Sequence, residues 1–252
     1  MHLAINRIGR INKGEDNLVS MEEVHAYLEQ ESRIEKIKES NSPLDLLRYQ
    51  SLRLKTILIL AITLCIGIIY YAYSTAEDNY GFNPQLNQFL IGFSELMALP
   101  FSTAFAPTLP RKSAGLAFFL CSGLLSVGVW LVEVPSNCEY CPRVFWQMGL
   151  VMVSRFTFIL GYSLFMLLLN ESYPVSVKSI ALFMNGIVIS GSFVVAQILF
   201  TFDRVMGVHP FLLLALFYLM IVVMYIPLAE TLEVRMPNYV EEVEGQMRKE
   251  DD

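Results

Sequence analysis

The chain is 252 residues long, 54% hydrophobic and 17% charged, with a formal net charge of −6 from 24 acidic and 18 basic side chains. An acidic balance with no basic, aromatic-interleaved stretch argues against a nucleic-acid partner, and the 4 scattered cysteines are too few for a disulfide framework. The averages hide a split: residues 1–55 are highly charged, 56–229 mostly apolar, and 230–252 polar and acidic, the pattern of a membrane protein with polar ends.

From the N-terminus, Met1 to Lys13 lacks the apolar core and small-residue cleavage site of a signal peptide, so insertion relies on the first membrane helix. Ala4 to Lys13 reads as the last turns of a helix stopped by Gly14, so the chain begins partway through a structural element. Ser20-x-x-Glu23 is a capping box that opens a second helix, running to about Glu39 and closed by Asn41-Ser42-Pro43. Residues 1–50 are therefore expected to form a cytoplasmic helical segment.

Six apolar segments follow, near 56–74, 86–106, 114–134, 145–169, 179–202 and 209–229. Each is long enough for a hydrocarbon core of about 30 Å, which takes about 20 helical residues. The expected fold is an all-α membrane protein, with a six-helix transmembrane domain over 51–232 and an acidic cytoplasmic tail over 233–252. An even number of crossings puts both termini on one side. Arg48, Arg53, Lys55, Arg111, Lys112 and Lys178 lie in the linkers on that side, against Arg143 and Arg204 on the other, so the termini are cytoplasmic or on the equivalent inner side.

Cys65 and Cys121 sit in apolar segments and read as packing residues, while Cys138 and Cys141 form a lone Cys-x-x-Cys in a loop. A structural zinc site needs four ligands and no second pair accompanies them, so neither metal nor cofactor is expected. A local disulfide forms there if the loop faces an oxidising compartment. Asn170-Glu171-Ser172 has the form of a glycosylation sequon, but its place against the inner side of the membrane argues against modification. His2, His25 and His209 have no metal spacing, and no nucleophile elbow or phosphate loop is present, so no catalytic residue is assigned and the chain is not read as an enzyme.

The fourth apolar segment carries the most informative residues. Arg155 stands inside it, and the segment ends in Asn170-Glu171-Ser172-Tyr173-Pro174 with Lys178 four residues on. An arginine near the bilayer centre costs about 2.5 to 3.5 kcal/mol on insertion scales, so it is paired, inward-facing and functional by default. Glu95 lies at similar depth in the second segment, and an ion pair with Arg155 lowers the cost of both charges. The pair serves either substrate or proton coupling, or helix packing alone.

The stretch from Glu171 to Lys178, E-S-Y-P-V-S-V-K, resembles the E-L-Y-P-T-x-x-R signature after transmembrane helix 10 of organic cation and anion transporters, a branch of the major facilitator superfamily. Arg155 falls where that family has a Gly-Arg pair entering helix 10. Leu52-Arg53-x-x-Thr56 and Tyr70 are similar to residues of helix 7, Glu95 to the helix 8 glutamate, and Leu228-Ala229-Glu230-Thr231 to the Leu-Pro-Glu-Thr that ends helix 12. The similarity covers about residues 44–232, with Ala4 to Gly14 similar to the end of the central cytoplasmic loop.

The resemblance implies that the six segments correspond to helices 7 to 12 of a twelve-helix carrier, one wall of a midplane cavity between two six-helix halves. It implies transport of a small organic ion, with the lipid bilayer and a second six-helix chain or a membrane complex as partners. The alternative is a non-transporting membrane subunit or scaffold derived from that fold. Tyr162 and Ser163 match cavity-facing positions of helix 10. Ser190 stands where cation carriers have aspartate and many anion carriers arginine, and otherwise reads as a small residue at a helix contact beside Gly186 and Gly191. The gate and motif residues carried over are Arg111, Glu171, Tyr173, Pro174, Lys178 and Glu230. Pro107-Thr108-Leu109-Pro110-Arg111 keeps only the last arginine of the family's Asp-Arg-x-Gly-Arg loop, and its prolines stiffen the turn.

Overall fold

The structure, a computed structural model, describes residues 29, 50–75, 82–132, 141–174, 177–206 and 209–229. The chain divides into two compact units, residues 1–42 and 43–252. Of the first, only Glu29 is described, and it is helical. The Ser20 capping box, the helix before Gly14, Cys138, Glu230 and the acidic tail lie outside the described residues.

The described part of the second unit is all-α: α1 (Gln50–Thr75), α2 (Pro84–Phe105), α3 (Arg111–Leu131), α4 (Pro142–Ser172), α5 (Lys178–Met206) and α6 (Pro210–Tyr225). Three helices start on a proline, whose missing N–H is unneeded at the first position. Asn83 caps α2 by accepting from the Gln85 amide at 3.1 Å, and His209 caps α6 through Nδ1, accepting from the Phe211 amide at 3.4 Å. Cys141 occupies the N-cap position of α4 with no side-chain capping bond, and is disulfide-bonded. Cys65 and Cys121 are free.

Among the described residues, four helices are long and apolar enough to cross a membrane, over Leu52–Tyr73, Arg111–Leu131, Pro142–Ser172 and Lys178–Leu199. Two of the six expected crossings differ from these. Asn, Gln and Glu95 interrupt the apolar pattern of α2. The regular part of α6 is 16 residues long and stops at Tyr225, short of the expected 229. Pro227 has no N–H to give and restricts the residue before it, which ends the helix early. At 31 residues, α4 is longer than expected and spans about 46 Å at 1.5 Å per residue.

Two long seams organise the packing. α3 lies along α4 and α1 along α5, α6 packs on both α3 and α1, and α2 leans on α4. The α1–α5 seam is close because Gly67 faces the Ser192 side chain with no room for a Cβ, the small-residue contact that lets membrane helices approach. Thr63 donates to Asn185 Oδ1 across it at 2.6 Å. The interior holds Ile59, Ile62, Ile69, Phe119, Phe158 and Phe165, all fully buried. The outside is also apolar, with Leu124, Leu131, Trp146 and Phe183 exposed. A surface of that kind suits lipid rather than water.

Candidate functional site

Arg155, on α4, is 2% exposed and enclosed on all sides. One guanidinium nitrogen donates to Glu95 Oε1 on α2 and the other to the Tyr70 carbonyl on α1 at 3.3 Å. The rings of Tyr70, Tyr73 and Phe158 stand 4.3, 5.0 and 5.4 Å from its central carbon. Cation–π contacts in a dehydrated setting are worth about 2 kcal/mol, so hydrogen bonds, an ion pair and aromatic faces together replace the lost hydration. Glu95 is the more open member of the pair, its side chain 27% exposed.

A hydroxyl cluster adjoins the arginine, built from four helices. The Tyr73 hydroxyl lies 2.7 Å from Ser154 Oγ and 3.2 Å from the Tyr218 hydroxyl. Ser154 Oγ lies 3.2 Å from the Ser122 carbonyl, to which it donates, and 3.3 Å from Ser126 Oγ. Buried hydroxyls are costly unless bonded to one another. This set ties α1, α3, α4 and α6 together at the residue preceding Arg155.

On the other side of Tyr70 is a cavity of about 240 Å³ lined by Ile66, Gly67, Tyr70, Tyr71, Tyr162 and Ile189, from α1, α4 and α5. Tyr162 stacks on Phe158 at 6.5 Å, and Tyr71 meets Phe193 edge-on at 5.1 Å. Tyr70 thus belongs to both places, with its ring against the guanidinium and on the cavity wall.

The structure brings Glu95, Arg155, Tyr70 and Tyr162 into one neighbourhood. Ser163 is half-buried and donates to the Ile159 carbonyl at 2.9 Å. Ser190 is on an exposed face of α5, its hydroxyl donated to the Gly186 carbonyl at 3.0 Å, while its neighbour Ile189 lines the cavity. Tyr71, Tyr73, Ser154 and Tyr218 were not singled out by the sequence reading. The run Tyr70-Tyr71-Ala72-Tyr73 at the end of an apolar helix was the available signal for the tyrosines. No comparable signal marks Ser154, which reads as a small packing residue.

A second polar group lies at the other end of α4. Arg111 pairs with Glu171 Oε1 at 3.2 Å and donates to the carbonyls of Ala106 and Leu109 at 2.8 and 3.0 Å, binding the α2–α3 turn to α4. Tyr173, just past α4, is buried and donates to Thr56 Oγ1 on α1 at 3.3 Å. Burial pushes its phenol above the ordinary value, partly offset by that hydrogen bond. Pro174 is buried beside it and Lys178 opens α5.

No family model matches the chain, and no curated protein matches it.

Proposed function

We propose that the chain is the C-terminal half of a carrier of the major facilitator type, supplying one wall of a path for small organic ions across the membrane. The observation that carries this reading is the sharing of Tyr70 between the Arg155–Glu95 pair and the tyrosine-lined cavity. A pair that serves packing alone has no need of an adjoining cavity. Ionisable residues at membrane depth ordinarily mark substrate or ion paths, and tyrosine rings supply both apolar faces and hydroxyl donors to a bound ion. Both termini lie on the inner side in this reading. The Cys141 disulfide then belongs to the opposite, oxidising side, which agrees with the basic residues gathered at Arg111, Lys112 and Lys178. Glu95, Arg155, Tyr70 and Tyr162 form the site, with the second six-helix half as the facing wall.

Uptake of small organic ions by cells that co-express this chain with an N-terminal six-helix half tests the proposal. Uptake that depends on both halves and is lost in Arg155→Ala supports it. Absence of uptake from any such pairing, with both halves in the membrane, contradicts it.

One observation favours a second reading, a non-transporting membrane subunit. Arg111 clamps the proline-stiffened α2–α3 turn to Glu171, where a carrier's gate must move. Purification in a complex of fixed stoichiometry, without ligand binding, would favour it.

A further inference from the structure

A groove runs along the outside of the seam between α3 and α6 and shares no residue with the tyrosine-lined cavity. Its depth comes from Gly123, where a Cβ would meet the Tyr218 side chain at 3.0 Å, so that α6 sits close against α3. The longer side chains stand to either side, Leu120 and Leu124 on α3 and Leu216 and Leu219 on α6, all exposed. Between them is a space of about 310 Å³ floored by Phe119 and Tyr218, both buried.

The chemistry and length of the groove say what fills it. Among the described residues that line it, only Tyr218 carries a polar side-chain atom, and that hydroxyl is turned to Tyr73 at 3.2 Å. A ligand that needs a hydrogen bond would be left unpaired here. On α6 the lining runs from Leu212 to Val222, about 15 Å at 1.5 Å per residue. That is half of a hydrocarbon core of about 30 Å, the depth of a single leaflet. The groove also ends where a leaflet ends. Three residues beyond Val127 and Leu212 stand Trp130 on α3 and His209 at the start of α6, rings with a polar tip of the kind that settles at the headgroup level. A transmembrane helix of a second copy is too wide for it, at about 10 to 12 Å across with its side chains, against about 310 Å³ spread over that length.

We infer that the α3–α6 groove is a lipid site, holding one acyl chain of a bilayer phospholipid as a fixed part of the fold. Hydrocarbon gains nothing from leaving water when its surroundings are already hydrocarbon, so retention comes from shape. Two leucine walls and an aromatic floor contact the chain on three sides, where a plain lipid-facing helix contacts it on one. The chain in turn backs Tyr218, whose ring meets Phe158 edge-on at 5.9 Å and whose hydroxyl joins the cluster beside Arg155. This site stands on the membrane reading of the helices and is independent of what the tyrosine-lined cavity binds.

The test uses the full chain in phosphatidylcholine nanodiscs, with a small fraction of the lipid replaced by a phosphatidylcholine that carries a photoreactive diazirine at mid-chain. Labelled residues are mapped by mass spectrometry after illumination. The expected result is labelling concentrated on 119–127 and 212–222, at least about ten-fold above that of Val194 and Ile198, which are comparably exposed on α5. Ala215→Phe fills the groove and removes that preference, while Val223→Phe, which adds the same ring at an exposed position outside the groove, keeps it. Labelling spread evenly over the exposed residues of the wild type overturns the inference without any variant. A preference that survives in Ala215→Phe protein with the wild-type unfolding midpoint overturns it too. Groove residues labelled less than those on α5 overturn it and give the face to a protein contact.

Discussion

The hydroxyls of Tyr73 on α1 and Ser154 on α4 lie 2.7 Å apart, both buried, at the residue immediately before Arg155. This contact fixes the height of α1 against α4 and holds the Tyr73 ring 5.0 Å from the guanidinium. Removing the hydroxyl in Tyr73→Phe keeps the ring and leaves Ser154 and the Tyr218 hydroxyl with one partner fewer. Both keep other partners, Ser154 the Ser122 carbonyl and Tyr218 the Ser154 hydroxyl, so the loss is that of buried hydrogen bonds worth about 0.5 to 1.5 kcal/mol each. A lowered unfolding midpoint of the purified protein in detergent checks this, and an unchanged midpoint contradicts it.

Gly67→Ala tests the close α1–α5 approach. The added Cβ falls on the Ser192 side chain, and overpacking of this sort costs about 1 to 3 kcal/mol. Ser192→Gly in the same protein opens the space and recovers part of the loss. If the double variant is no better than Gly67→Ala alone, the two helices are not in contact there.

Arg111→Lys keeps the charge but not the forked geometry that reaches Glu171 and two carbonyls at once. The pair is partly exposed, so the global cost is small, about 1 kcal/mol or less. The local effect is larger. Amide hydrogen exchange rises in the turn over 106–110, and a pattern identical to wild type there would dismiss Arg111 as the clamp.

The buried phenol of Tyr173 gives a prediction for alkaline solution. Its value is raised on folding, so the neutral form favours the folded state. That contribution is complete below the ordinary phenol value of about 10 and is lost as pH rises through the folded value. Stability of the wild type therefore falls above about pH 10 more steeply than that of Tyr173→Phe, which has no proton to lose there. Parallel unfolding curves for the two proteins would contradict it.

Much of the bundle was legible because apolar runs of membrane length leave few alternatives to helix. Glu95 and Arg155 could be paired from depth alone, since lone charges at that depth demand partners. Helix ends were less legible. Asn170 and Glu171 read as a polar turn, yet α4 continues to Ser172, with Asn170 bonded back to the Met166 carbonyl at 2.8 Å and Glu171 held by Arg111. The hydroxyl cluster was illegible because its members are up to 145 positions apart and each serine alone reads as a small packing residue. Ser190 shows the limit of motif transfer. Its alignment to a charged position of the resembling family does not say which face of α5 it occupies, and it lies exposed.

The central claim is that the tyrosine-lined space beside Arg155 is a ligand cavity open to water and not a packing gap. Cysteine labelling in native membranes tests it most directly, on a background of Cys65→Ala and Cys121→Ser, with Tyr162→Cys as the probe position and Leu124→Cys as the lipid-facing reference. The account predicts that a membrane-impermeant thiol reagent modifies the cysteine at 162, that an organic ion occupying the cavity slows the reaction, and that the cysteine at 124 stays unmodified. A cysteine at 162 as unreactive as the one at 124, in protein that retains its wild-type unfolding midpoint, would contradict it.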